Sequence, residues 1–144
     1  LCFVPNFFTA TNLSSVARQT AVINIMALGM TMVIITGGID LSVGAILAMG
    51  GFLGTLAMSK GQSIPVAVFL GVLTGAAWGF VNGFLTTRLK INSFIVTLGT
   101  LGIVRGLTLV VSNGLPVHEI PSGFSFLGEG SLIGIPFVLW ILVA

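Results

Sequence analysis

The sequence predicts an all-α, polytopic membrane protein, a multi-helix transmembrane bundle, and three observations carry that expectation. Of 144 residues, 56% are hydrophobic and only 6% charged, with a mean hydropathy of +1.19, whereas soluble domains carry about a quarter charged residues. The apolar residues gather into segments close to the roughly 20 residues that a helix needs to cross a hydrocarbon core about 30 Å thick. No strict alternation of polar and apolar residues supports a barrel, and the segments are about twice as long as a tilted membrane strand. Because a bilayer offers no water to unpaired backbone groups, such segments are helices.

Residues 20–36, "TAVINIMALGMTMVIIT", form the first expected helix, which is somewhat short. The stretch before it, "FVPNFFTATNLSSVARQ", mixes aromatics, threonines and asparagines around a proline. It reads as a segment at the membrane interface, with Asn12 or Ser14 able to cap the helix. The second helix is expected over 41–59, the third over 64–85 and the fourth over 94–111. A fifth begins near Leu132 and is cut off at 144. The chain starts on Leu and stops inside "IGIPFVLWILVA", so it reads as a fragment of a longer protein. Short connections, "GGID", "KGQS" and "TTRLKINS", join the first four helices, while 112–131, "SNGLPVHEIPSGFSFLGEGS", is a long polar loop with room to meet a partner.

The net charge of +2 comes from Arg18, Lys60, Arg88, Lys90 and Arg105 set against Asp40, Glu119 and Glu129. These are scattered, and no basic patch for nucleic acid exists. Cys2 and His118 are single residues of their kind, which excludes a disulfide framework and a clustered Cys/His metal site within the chain. Arg88 and Lys90 place "TTRLKINS" on the cytoplasmic side, and the 112–131 loop on the opposite side.

Several polar or small residues stand out inside the apolar segments. Gly71, Gly75, Gly79 and Gly83 recur every fourth position of the third helix, and Gly50/Gly54 and Gly102/Gly106 repeat the spacing. Small residues let helix backbones approach closely in lipid, so the stripe predicts close packing within a bundle, with a dimerisation face as the alternative. Arg105 lies about 18 Å along the fourth helix from Ser93, past mid-membrane. An intramembrane charge is a functional candidate, and the competing role is snorkelling or bonding backbone carbonyls. Asn24, Asn82, Thr97 and Thr100 either hydrogen-bond between helices or line a hydrated path for a polyhydroxylated solute.

The run 33–51, "VIITGGIDLSVGAILAMGG", is interrupted at its centre by Gly37, Gly38, Asp40 and Ser42, with Gly44 following. The glycines suit a helix C-terminus that requires positive φ, and Asp40 or Ser42 can cap the next helix. On that reading the segment is a tight hairpin at the membrane surface. The alternative is a turn that dips inward, since the first helix is short and glycine-rich backbone beside a helix N-terminus is the arrangement transporters aim at solutes.

Catalysis is excluded: no catalytic residue is assigned. His118 lies in a polar loop and Asp40 stands alone, so neither a Ser–His nor a two-carboxylate intramembrane protease can be assembled. "GxxxxGK[ST]" is absent, so any ATP hydrolysis belongs to another chain.

The segments "NLSSVARQTAVINIMALGMTMVIITGGIDLSVGAILAMGG", "GFVNGFLTTRLKINSFIVTLGTLGIVRGLTLVVSNGLPV" and "LGEGSLIGIP" resemble, in order and spacing, the permease subunits of bacterial ABC importers for monosaccharides of the ribose, xylose and galactose type. The resemblance implies a subunit of about ten membrane helices in the bacterial inner membrane, of which this chain carries roughly the second to the start of the sixth. It also implies a second permease subunit, a separate ATP-binding subunit that uses ATP and Mg, and a periplasmic sugar-binding protein that docks on the 112–131 side. The family's cytoplasmic ATPase-engaging segment lies beyond residue 144, so no coupling residue is named. Permeases of the same wider fold carry branched-chain amino acids, nucleosides or signalling furanoses, and a channel or ion-coupled secondary transporter working without an ATPase is the alternative from another class.

Overall fold

The computed structural model describes residues 8–117, 120–121, 123–124, 130–133, 135–136 and 139–141. Four helices dominate: α1 (Ala10–Ile35), α2 (Val43–Ser59), α3 (Ile64–Thr87) and α4 (Ser93–Ser112). A two-residue pair, β1 (Ser131–Leu132) and β2 (Ile135–Pro136), follows. The chain forms two compact units, one of Leu1–Thr31 with Ser122–Ala144 and the other of Met32–Pro121.

In the first unit, α1 begins ten residues earlier than the apolar run 20–36 indicates and is 26 residues long. Nothing between Pro5 and Gly29 breaks a helix, and Thr9 supplies the cap: its Oγ1 accepts from the Asn12 N–H at 3.4 Å. Asn12 and Ser14 therefore lie within the helix and not at its start. At 1.5 Å per residue α1 reaches about 39 Å, so the first helix is not short. The fifth helix does not begin at Leu132. Leu132 pairs with Ile135 and Ser131 with Pro136 in an antiparallel hairpin, and among the described residues helix resumes at 139–141. Pro136 holds its predecessor extended and offers no N–H to a helix. The Trp140 Nε1–H donates to the Leu132 carbonyl at 3.4 Å.

In the second unit, α2, α3 and α4 pack together. α1 ends with Gly37 at φ +77, whose N–H donates to Ile34 O at 2.9 Å, while the Gly38 N–H donates to Val33 O at 3.0 Å. This paired closure satisfies carbonyls that a helix end leaves open, and it requires the left-handed residue. α2 closes in the same way at Gly61, and α4 at Asn113. α4 starts on Asn92, whose Oδ1 accepts from the Phe94 N–H at 2.9 Å. Three of these helices, α1, α3 and α4, are long and apolar enough to cross a membrane, whereas α2, with 17 residues, is shorter.

Burial runs opposite to that of a soluble protein. Phe80 and Val110 are each 73% exposed, while Ser42, Asn82, Thr97 and Thr100 are between 0% and 7% exposed. Apolar surface suits lipid, and polar side chains turn inward to find partners. α2 and α3 touch at their glycines: a Cβ built on Gly50 would stand 2.9 Å from Gly71 O, and one on Gly54 would stand 3.0 Å from Ala67 O.

Candidate functional site

Most hydroxyls in these apolar helices are satisfied locally. Thr55, Thr74, Thr87 and Thr108 each donate to the carbonyl four residues back, at 2.7–3.0 Å, the usual resolution for a Thr inside a helix. Among the described residues of α2, α3 and α4, the polar side chains that instead reach another element converge on the α1–α2 connection.

That connection runs along the first turns of α4. The Ile39 N–H donates to Ser93 Oγ at 3.1 Å, and Thr97 Oγ1 donates to the Ile39 carbonyl at 3.2 Å while also bonding Ser93 O at 2.8 Å. Both backbone groups of Ile39 are thus satisfied by side chains of one helix. Gly38 has no room for a side chain: a Cβ would lie 3.1 Å from Val33 Cγ1 and 3.3 Å from Val33 O.

Beyond Ile39, four polar side chains form one hydrogen-bonded series. Thr100 Oγ1 donates to Asn82 Oδ1 at 2.6 Å, Asn82 Nδ2 donates to Ser42 Oγ at 2.9 Å, and Ser42 Oγ donates to Asp40 Oδ1 at 2.6 Å. The Ser42 N–H adds a second bond to the same carboxylate oxygen at 2.7 Å. Every proton in the series points toward Asp40, so α4, α3, the start of α2 and the connection are registered to one another. Ser42 occupies the N-cap position of α2, just before Val43, but makes no side-chain capping bond. Its hydroxyl serves the tertiary series, and the Asp40 carboxylate accepts from the Ser42 N–H.

The structure brings together Gly37, Gly38, Asp40, Ser42, Asn82 and Thr97, with Thr100 and Ser93 added. Gly44 lines a different groove, of about 450 Å³, with Ala45 and Ala48 of α2 and Leu101, Arg105 and Thr108 of α4. Arg105 is exposed there. Asn24 lies on the α1 stretch of the first unit and is exposed. Of the glycine stripe, Gly71 meets Gly50, whereas a Cβ on Gly75, Gly79 or Gly83 would find nothing within 4 Å. His118, Glu119 and Glu129 of the 112–131 loop lie outside the described residues.

Ser93 is a site residue that sequence reasoning did not single out, and Thr100 was read only as one of several polar positions. A signal was present: Ser93, Thr97 and Thr100 fall at i, i+4 and i+7, one face of an apolar helix.

Comparison with known proteins gives a consistent answer. The family model described as "Branched-chain amino acid transport system / permease component" matches residues 12–144. The chain is 41% identical over 142 residues to the ribose import permease protein RbsC of Escherichia coli (strain K12), covering 96% of this chain and 44% of that protein. It is 40% identical over 151 residues to RbsC of Bacillus subtilis (strain 168), covering 96% and 47%. It is 38% identical over 137 residues to the L-arabinose ABC transporter permease protein AraH of Azospirillum brasilense, covering 95% and 40%. The chain therefore spans less than half the length of these relatives. No solved structure matches it. With the match running from the first turn of α1 through the polar series to the last residue, this chain belongs to the permease-component family of branched-chain amino acid type transport systems.

Proposed function

We propose that this chain forms part of the wall of a translocation path in an ATP-driven importer, and that the solute is a monosaccharide such as ribose. The observation that carries the reading is the buried series Asp40–Ser42–Asn82–Thr100, set in helices whose outer faces are apolar. The names of the relatives, ribose and L-arabinose permeases, supply the solute class. A polyhydroxylated solute leaving water needs replacement hydrogen bonds along its way, and hydroxyl, amide and carboxylate groups supply them. Glycine contacts between α2 and α3 let the helices rock against each other without side-chain interlocking, which suits alternation between inward- and outward-open states.

In this reading the chain does no chemistry. A separate ATP-binding subunit hydrolyses ATP with Mg, a second permease subunit completes the path, and a periplasmic sugar-binding protein delivers the solute to an assembly in the bacterial inner membrane. Arg105 sits on the wall of the α2–α4 groove, and Asn24 and Gly44 remain path candidates on α1 and α2. The test is uptake of labelled ribose and L-arabinose by cells lacking the full-length permease. Loss of uptake of either sugar, restored by the gene, supports the reading, and unchanged uptake of both contradicts it.

A further inference from the structure

We infer that residues 38–42 are re-entrant: the break between α1 and α2 lies inside the membrane, and Ser93, Thr97 and Asn82 are positioning residues that hold it there. Three measurements along the helices agree on the depth. Arg88 and Lys90 sit in the turn between α3 and α4 and mark the nearby membrane surface. Asn82 lies five residues before the end of α3, about 7.5 Å in from that surface, and it bonds Ser42 directly at 2.9 Å. Thr100, bonded to the same Asn82, lies seven residues into α4, about 10.5 Å from its start.

The third measurement comes from the far ends. α2 and α3 are joined there by a four-residue turn, 60–63, so those ends are level. α2 has 17 residues and α3 has 24, and the shortfall of seven residues, about 10 Å, must fall at the Ser42 end. All three place the start of α2 about 8–10 Å inside, while Ile39, bonded to Ser93 at the first residue of α4 and to Thr97 about 6 Å further along, lies where the segment enters from the surface.

The bonding of Ile39 is what such a position demands. Non-helical backbone at membrane depth is tolerated only where its polar groups find partners in protein or in a hydrated cavity. A surface turn would take its partners from water. Ile39 takes both of its own from α4, through Ser93 Oγ and Thr97 Oγ1. The hydroxyl stripe of α4 is thereby explained as a clamp on a non-helical segment, and Asp40 is carried inward with it. The depth and the clamp stand independently of the solute assigned above; only the placing of Asp40 beside a sugar path rests on that reading.

The test uses the full-length permease in inside-out membrane vesicles, bearing a single cysteine at Ile39, Leu41 or Lys90 and treated with a 5-kDa polyethylene-glycol maleimide. That reagent is too bulky to enter a membrane-buried break, hydrated or dry. Lys90→Cys is expected to shift in mass readily, whereas Ile39→Cys and Leu41→Cys resist until the membranes are dissolved in SDS. Equal labelling at 39, 41 and 90 overturns the depth. In the Ile39→Cys background, Ser93→Ala with Thr97→Val removes both clamp bonds and is expected to raise labelling about eightfold. Ser93→Thr with Thr97→Ser keeps both hydroxyls and the low rate, and Thr108→Val, which removes a hydroxyl bonded only within α4, also leaves it low. An unchanged rate in Ser93→Ala/Thr97→Val, or an equal rise with Thr97→Ser or Thr108→Val, overturns the clamp. Because no solute enters these measurements, their failure is distinguishable from failure of the transport reading.

Discussion

Gly50→Val forces α2 away from α3 and is expected to give the least stable permease of the changes at this contact. Even the first added carbon meets backbone: a Cβ on Gly50 stands 2.9 Å from Gly71 O, and the reciprocal contact, from Gly71 to Gly50 O, is 3.1 Å. No rotamer change relieves a clash with a main-chain carbonyl, so the helices themselves must move. Movement at this point also lifts Gly54 from Ala67, where the clearance is 3.0 Å. Overpacking a tight core costs about 1–3 kcal/mol, and a branched side chain between two backbones belongs at or above the upper end. Gly50→Ala is expected to cost about 1–2 kcal/mol on the same scale. Gly51→Ala, next along α2 with nothing within 4 Å, leaves the α2–α3 contact in place. Thermal unfolding of the purified full-length variants, ranked Gly51→Ala above Gly50→Ala above Gly50→Val, checks the order.

Asn82→Leu uncouples three elements at once while keeping the number and branching of the side chain's heavy atoms. Asn82 is 7% exposed, donates to Ser42 and accepts from Thr100. Leucine does neither. Thr100 can fall back on a carbonyl of its own helix, as Thr108 does, and Ser42 keeps its bonds to Asp40. The stability loss is therefore modest, about 1–2 kcal/mol, in line with interhelical hydrogen bonds in membranes. Uptake falls further than stability does, because Asp40 and the start of α2 lose their register on α3. A double-mutant cycle with Ser42→Ala isolates the bond itself, and a coupling of about 0.6–1.7 kcal/mol is the expected result. Thr100→Val, which removes one bond of the series, falls between the parent and Asn82→Leu.

Much of the fold was legible because lipid and helix length impose one simple rule. The apolar runs 41–59, 64–85 and 94–111 lie within two residues of α2, α3 and α4 at every boundary. The rule fails where a helix continues through polar residues. The segment Thr9–Gln19 carries hydroxyls and amides that hydropathy counts as interface, yet nothing in it breaks a helix, and α1 begins at Ala10. It fails again at Leu132, where apolarity does not distinguish a hairpin from a helix and Pro136 decides.

For the candidate site, Asp40 and Ser42 were conspicuous as polar residues in an apolar run, and Asn82 and Thr97 as polar residues in apolar helices. Their connection was not visible, because Ser42 and Asn82 are 40 residues apart and meet only once α2 packs on α3. The depth of the break was hidden for the same reason. It depends on how far along α3 and α4 the partners lie, which no local pattern records. Glycine spacing showed which helices can approach closely, but it did not select Gly71 and Gly50 over Gly75, Gly79 and Gly83 as the points of contact.

The most direct test of the transport reading is sugar accumulation in proteoliposomes containing the full-length permease, its ATP-binding subunit and its periplasmic binding protein. Labelled ribose is expected to accumulate only with ATP and Mg on the side of the ATP-binding subunit, and to stop when the phosphate-gripping lysine of that subunit is replaced. Equal accumulation without nucleotide, or without the ATP-binding subunit, would contradict it.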